Sequence, residues 1–256
     1  MTKDLTIGKP QTILWRFTMP MFLSVIFQQL YNIADSIIAG RFAGEDALAA
    51  VGASYPITMI FMAIAIGFNI GCSVIISQLF GGRQYAKMKT AVTTSLITSV
   101  ILSVLLTILG LICSKSLMIL ISTPKNIFAD GELYLRIYIG GFLFLFLYNV
   151  STGIFTSLGD SKTPLYFLIG SSVGNVLLDY LFVAIFHFGV AGVAWATFIA
   201  QGISGILALL TILTRLRTIE IKGHSELFSF PMLGRIAGIA IPSILQQSFV
   251  SVGNIF

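Results

Sequence analysis

The stretch AVGASYPITMIFMAIAIGFNIGCSVIISQL, from Ala50 to Leu79, contains no charged side chain. A helix needs about 20 apolar residues to cross the hydrocarbon core of a bilayer, so this segment is long enough to span a membrane. Further apolar segments follow the same pattern along the chain: Ile13–Ala39, Ala91–Cys113, Leu133–Leu158, Leu165–Phe186 and Val190–Leu213. Another segment begins near Leu233 and is still apolar at Phe256. The pattern predicts an all-α membrane protein with six transmembrane helices and the start of a seventh.

The composition of the whole chain also indicates a membrane protein. Charged residues make up 10% of the sequence and hydrophobic residues 56%, whereas a soluble domain carries about 25% charged residues. These values exclude a soluble globular enzyme, a disordered chain and a disulfide scaffold. The formal net charge of +5 does not indicate a nucleic-acid partner, because the basic residues lie between the apolar segments rather than on one face. The expected surroundings are the lipid bilayer.

The basic residues are divided unequally between the two sides of the membrane. With the N-terminus in the cytoplasm, eleven of the 15 Lys and Arg residues fall on the cytoplasmic side, and the others are Arg41, Lys115, Lys125 and Arg136. Cytoplasmic loops carry an excess of Lys and Arg. We therefore expect a multi-pass protein of the cell membrane with a cytoplasmic N-terminus.

The seventh apolar segment resembles the first. Met19-Pro20-Met21-Phe22-Leu23 corresponds to Ile241-Pro242-Ser243-Ile244-Leu245, and an Asn follows each proline by twelve positions, at Asn32 and Asn254. An even number of spans in each repeat gives parallel halves. We therefore expect one complete lobe and the opening of a second, as in the front portion of a longer protein. The predicted units are a six-helix lobe (1–214), a cytoplasmic linker (215–231) and the start of a second lobe (232–256).

Two acidic residues, Asp35 and Asp179, lie within the apolar segments. Ionisable groups are costly in lipid and mark ion or substrate pathways. Each belongs to a set of polar residues spaced by three or four, which predicts one face of a helix. The set on the first helix is Ser24, Gln28, Tyr31, Asn32 and Asp35, and that on the fifth is Ser171, Asn175 and Asp179. The sixth helix adds Thr197, Gln201 and Ser204.

These polar faces have more than one interpretation. Asp35 is also close enough to Arg41 to be solvated at the membrane surface, and Gln201 and Ser204 suit hydrogen bonds between helices. Carboxylate, amide and hydroxyl oxygens are ligands of hard cations, and a buried carboxyl group can bind and release a proton. The residues alone leave proton and sodium open as the bound ion. They indicate no cofactor.

Several motifs resemble those of the multidrug and toxic compound extrusion (MATE) family. They occur in the family's order: Leu30-Tyr31-Asn32-Ile33-Ala34-Asp35-Ser36, Ala47-Leu48-Ala49-Ala50-Val51-Gly52, Gly159-Asp160-Ser161-Lys162-Thr163-Pro164, Asn175-Val176-Leu177-Leu178-Asp179 and Gly192-Val193-Ala194-Trp195-Ala196-Thr197. The resemblance implies two six-helix lobes, of which this chain is the N-terminal one, and a C-terminal lobe that function requires. It implies antiport, in which organic cations and amphipathic drugs leave as protons or sodium ions enter.

The resemblance also assigns roles to particular residues. It places a proton or sodium coupling site on Asp35, Asn175, Asp179 and Thr197. We expect the cavity that receives substrate to include Tyr31, Asn32, Gln28 and Gln201.

Two other functions fit a polytopic membrane protein. A flippase for lipid-linked saccharides shares the architecture, but its cavity is expected to be cationic, whereas these spans contain two Asp. A membrane-embedded enzyme would need a metal or nucleophile cluster. The histidines, His187 and His224, are too far apart in sequence to indicate one. We therefore predict a transporter and not an enzyme.

Overall fold

The computed structural model describes residues 9–219 and 225–253. Within those ranges the chain forms eight α-helices and two π-helical turns, with no β-strand. The helices are α1 (Pro10–Ile38), α2 (Glu45–Gly81), α3 (Tyr85–Leu120), α4 (Phe128–Gly140), α5 (Phe142–Ser157), α6 (Lys162–Asp179), α7 (Gly189–Thr218) and α8 (Phe230–Gly253). The π-helical turns follow α1 and α6 and comprise Ala39–Ala43 and Tyr180–Ile185.

The six predicted spans are confirmed as helices. Five continuous helical segments are long and apolar enough to cross a membrane, and α4 with α5 makes a sixth span that is bent by 49°. The bend lies at Gly141, inside the predicted span Leu133–Leu158. The all-α membrane fold is therefore as predicted, and α8 forms where the seventh segment is expected.

The predicted domain limits differ slightly from the helix ends. α7 continues to Thr218, which lies inside the predicted linker 215–231, and α8 begins at Phe230. Parts of the predicted units lie outside the described residues: 1–8 of the first lobe, 220–224 of the linker and 254–256 of the second lobe, with Asn254 of the repeat.

The core of the lobe surrounds α2, which packs against α3, α4, α5 and α8. Phe142 and Phe146 of α5 are fully buried and meet edge to face with ring centroids 5.5 Å apart, and Phe61 of α2 packs on Phe142 at 5.1 Å. Large apolar side chains such as Ile112 and Leu120 instead face outward, with exposed fractions of 74% and 78%. Because lipid covers such surfaces, close packing rather than water exclusion holds the helices together.

Two glycines of α2 allow α8 to approach very closely. A Cβ atom on Gly67 would lie 2.5 Å from the backbone N and Cα of Ile244, and one on Gly71 would lie 2.7 Å from Cβ of Ala240. Any larger side chain would separate the two backbones. We call this contact the α2–α8 seam.

The first helix lies at the edge of the lobe. α1 packs mainly against α6, and Pro20 is the only buried residue among those of α1. A proline inside a helix removes one backbone hydrogen bond and weakens the helix there. α1 therefore contacts mainly one helix, α6, and lacks a backbone hydrogen bond near its middle.

Candidate functional site

Both intramembrane acids lie next to a π-helical turn. Asp35 precedes the turn Ala39–Ala43 by one helical turn, and Asp179 is the last residue of α6 before the turn Tyr180–Ile185. The helices α1 and α6 pack together, and the two π-helical turns also contact each other. Because these helix ends lie side by side, the two acids lie at the same depth in the helix bundle. Such π-helical insertions are frequent at functional sites.

The carboxyl groups of Asp35 and Asp179 lie close enough to interact directly. Asp179 is fully buried. Within the described ranges, no donor reaches either oxygen of Asp179 or Oδ1 of Asp35. Two adjacent ionised carboxylates repel each other, and burying a charge without a partner is costly. The pair is therefore suited to bind a positive charge, either as a proton on one carboxyl group or as a metal cation.

Asn175 and Thr197 complete the polar group around the acids. Asn175 lies one turn before Asp179 on α6 and is 2% exposed. Its Nδ2 donates a hydrogen bond of 3.4 Å to Oγ1 of Thr197 on α7, while its Oδ1 has no donor within the described residues. An amide oxygen without a donor is a further ligand of the kind that hard cations prefer.

Two tyrosines border the same group. The hydroxyl of Tyr31 is within hydrogen-bonding reach of Thr197, and its ring lies near both acids. Tyr134, on α4, lies near Asp35, Asp179 and Tyr31. It stacks on Tyr138 with ring centroids 6.3 Å apart. Sequence reasoning missed Tyr134, because the acids of α4, Asp130 and Glu132, lie at the end of the span and did not mark an inner face.

The structure thus brings together Tyr31, Asp35, Asn175, Asp179 and Thr197. It does not bring two of the cavity candidates, Gln28 and Asn32, to them. Gln28 and Asn32 are exposed, and Asn32 donates a hydrogen bond of 3.2 Å to Gln29. Asn32 lines a separate open cleft of about 450 Å³ with Gln29, Ile33, Ser36 and Ile37.

The polar set predicted as one face of α1 is therefore divided in two. Each residue turns the helix by about 100°, so Tyr31 and Asp35 point toward α6 while Asn32 points away from it. Gln201 lies one turn after Thr197 on α7, with a buried Oε1 that has no donor in the described part of the chain. Gln201 therefore lies on the same helix as Thr197 of the site.

No metal centre of the usual composition is present within residues 9–219 and 225–253, where no three His, Cys, Asp or Glu side chains cluster. The two carboxylates with an amide and a hydroxyl are all oxygen ligands. This set matches a proton or a hard cation rather than zinc or another metal that favours nitrogen or sulfur.

A second polar cluster lies at the other end of α6. Asp160 Oδ1 accepts hydrogen bonds of 3.1 Å from the backbone N–H groups of Lys162 and Thr163, and its Oδ2 pairs with the guanidinium of Arg215 on α7. Arg215 also donates a hydrogen bond of 2.8 Å to Oγ1 of Thr163 and lies over the ring of Phe155. Burial opposes the charge on Asp160, but hydrogen bonds from Thr163 and Arg215 outweigh it and lower the pKa of the carboxyl group.

Comparisons with known proteins agree with the fold. The MatE family profile matches residues 20–181. The chain is 31% identical over 256 residues to the probable multidrug resistance protein YpnP of Bacillus subtilis. The matched region covers 98% of this chain and 56% of YpnP. It is 34% identical to the probable multidrug resistance protein YoeA of the same species. The matched region covers 82% of this chain and 47% of YoeA.

A solved structure gives the same result. The chain superimposes on an outward-facing multidrug resistance MATE family transporter of the MOP superfamily with a TM-score of 0.90 and 28% identity. The superposition covers 100% of this chain and 57% of that one. The chain spans about half the length of the relatives it matches. With the profile match and the identity to curated relatives, the chain belongs to the MatE family.

Proposed function

We propose that this chain forms the N-terminal lobe of a secondary antiporter that exports organic cations and other amphipathic drugs in exchange for protons or sodium ions. The observation that carries the proposal is the pair of Asp35 with the buried Asp179, in which both oxygens of Asp179 and Oδ1 of Asp35 lack donors within the described residues. Relatives named as multidrug resistance proteins support the drug substrate. This role is transport, and it uses no catalytic residue.

In the proposed mechanism, the entering ion binds between the two carboxyl groups. Asn175 and Thr197 supply neutral oxygens beside the pair, and Tyr31 lies at its edge. Binding of a proton or sodium ion removes the repulsion between Asp35 and Asp179. α1 then adjusts against α6, because α1 has few other contacts and contains Pro20. Movement of α1 changes the surface offered to substrate.

The proposed substrate surface includes Tyr31, Asn32, Gln28 and Gln201. Gln28 and Asn32 are exposed, and Asn32 lines an open cleft, so a bound molecule could reach them. The charged groups buried nearby are carboxylates, which favour cationic substrates. A flippase for lipid-linked saccharides would need a cationic cavity, and no described feature favours one.

Two parts of the proposal concern the rest of the assembly. The chain corresponds to about half of its relatives, and we propose that a C-terminal lobe is required to enclose the substrate cavity. The uneven distribution of Lys and Arg supports a cytoplasmic N-terminus in the cell membrane.

Efflux measurements test the ion site. The chain is produced in cells together with the C-terminal half of YpnP, and export of ethidium is followed under imposed proton or sodium gradients. Asp179→Asn and Asp35→Asn are each expected to abolish gradient-driven export, because Asn keeps the shape of the side chain but cannot ionise.

The matched control is Asp130→Asn, at an exposed acid in the first turn of α4. It is expected to leave export unchanged. Full export by Asp179→Asn at normal protein levels would refute the ion site, and export by the 256-residue chain alone would refute the need for a second lobe.

A further inference from the structure

An apolar groove runs along the outside of the lobe, away from the two acids. It has a volume of about 360 Å³ and is walled by α3 on one side and α7 on the other, with α5 as its floor. The residues that define it are Ile97, Ile101, Leu147, Leu209, Leu213 and Leu227. Ile101 is 54% exposed and Leu213 is 40% exposed, so the groove opens to the surroundings of the lobe.

Basic residues stand on both walls at one end of the groove. On α3, Lys89 precedes Thr93 by one turn, and Thr93 and Ile97 line the groove. On α7, which runs in the opposite direction, Arg217 follows Leu213 by one turn. Residues four apart lie on one face of a helix. Both bases therefore extend from the groove-lining faces at the membrane surface where α3 begins and α7 ends.

The segment before α8 is fixed at this same end. The Glu226 N–H donates a hydrogen bond of 3.0 Å to Oγ1 of Thr90, and Thr93 Oγ1 donates one of 3.3 Å to the Glu226 carbonyl. These bonds place Leu227 over the groove. Within the described residues, neither Lys89 nor Arg217 forms an ion pair with Glu226 or with any other acid.

We propose that the groove binds one anionic phospholipid of the adjoining leaflet, with an acyl chain on the apolar walls and the phosphate between Lys89 and Arg217. The positive charges of these two residues favour a lipid with an anionic headgroup. Basic pockets between helices at a membrane surface bind anionic headgroups. The proposed topology makes this leaflet the cytoplasmic one, where anionic lipids are enriched. The lipid would also contact the segment that leads into α8.

The basic end favours a lipid over a second protein lobe as the occupant. The groove walls are almost entirely apolar, and a separate, more polar cleft on α1 contains Asn32. α8 packs on α2 and α3, while the groove lies between α3 and α7. Lipid is therefore the partner that fits both the apolar walls and the basic end.

Native mass spectrometry of the purified 256-residue chain in uncharged detergent tests the proposal. The chain is titrated with dioleoylphosphatidylglycerol or with dioleoylphosphatidylcholine, which differ in the headgroup alone. One phosphatidylglycerol is expected to bind with clear preference. A basic residue near the surface contributes about 1 kcal/mol to binding of anionic lipid, so Lys89→Gln with Arg217→Gln should weaken phosphatidylglycerol binding about thirtyfold.

The matched control is Lys115→Gln with Lys125→Gln, which removes the same charge at the far end of α3 and beyond it. This control should bind phosphatidylglycerol like the original chain. Ile97→Trp should lower the binding of both lipids, because it fills the groove and leaves the bases in place; it also carries the test if the double Gln variant does not fold. Inorganic phosphate alone should not compete at the lipid concentration.

Four results would overturn the proposal. The first three are equal binding of the two lipids, equal loss in the control and test variants, and full competition by inorganic phosphate. The fourth is displacement of the lipid when the chain is joined to the C-terminal half of YpnP, which would assign the groove to contact between lobes.

Discussion

Replacing Arg215 by Met should destabilise the lobe far more than loss of an ordinary surface ion pair. The guanidinium pairs with Asp160, donates a 2.8 Å hydrogen bond to Thr163 and lies 4.9 Å from the ring centre of Phe155. The side chains of Arg215 and Asp160 are only 24% and 11% exposed. Water therefore replaces these interactions poorly when the arginine is removed.

The expected loss follows from the separate contacts. The guanidinium is the donor in both hydrogen bonds, and a hydrogen bond to a charged group contributes about 1.5–3 kcal/mol when it is shielded from water. A cation–π contact adds about 0.5–1 kcal/mol. With allowance for partial exposure, Arg215→Met should cost about 3 kcal/mol. For a chain of this size, 1 kcal/mol shifts the melting temperature by about 2–4 °C, so the expected decrease is about 6–12 °C.

Thermal unfolding in detergent, followed by circular dichroism, measures the decrease. The control is Arg136→Met, which breaks the exposed pair with Glu132 at 3.6 Å. Exposed pairs spaced by four contribute about 0.3–0.5 kcal/mol, so the control should shift the midpoint by about 1 °C. A midpoint for Arg215→Met within about 2 °C of the unaltered chain would refute the reasoning.

The same cluster predicts how the stability of the chain depends on pH. Burial raises the pKa of Asp160 in the folded protein, but hydrogen bonds from Thr163 and Arg215 lower it by more. The net effect is a lowered pKa. Its contribution is therefore fully present above the unfolded pKa of about 3.9 and is lost as the pH falls through the lower folded pKa. The difference in melting temperature between the chain and Asp160→Asn should be constant from about pH 8 to 5 and should decrease below about pH 4.

Two further predictions concern the seam and the topology. Gly71→Ala should cost about 1–3 kcal/mol by overpacking the α2–α8 seam. Gly174→Ala, where an added Cβ would meet nothing within 4 Å, should be neutral or slightly stabilising in the same unfolding assay. In a chain without native cysteines, Lys125→Cys should react with an impermeant thiol reagent applied outside intact cells, whereas Arg83→Cys should not. The reverse pattern would contradict a cytoplasmic N-terminus.

The helices were predictable because apolar length is a strong signal in a membrane protein. Hydropathy marks the part of a helix in hydrocarbon and not the helix itself. For this reason the predicted span Ala91–Cys113 corresponds to the longer α3, Tyr85–Leu120, which continues past both ends. The bend at Gly141 was not predicted, because two neighbouring glycines permit a kink but tertiary packing decides whether one forms.

The site was predictable in part for a similar reason. Asn175 and Asp179 are four residues apart on a regular helix, so periodicity places them on one face. On α1, the same periodicity grouped Asn32 with Asp35, although the structure places Asn32 in a different cleft. The two π-helical turns and the contribution of Tyr134 depend on how α1, α4 and α6 meet, and local sequence carries no signal for them.

The α2–α8 seam has a consequence for how a two-lobe carrier could move. α8 lies in the segment that the sequence predicts as the start of a second lobe, but Gly67 and Gly71 leave no space between its backbone and α2. A helix held that tightly travels with its neighbour as one rigid body. In the proposed two-lobe carrier, α8 would then move with the first lobe, and the linker before α8 would not be the boundary between the moving parts.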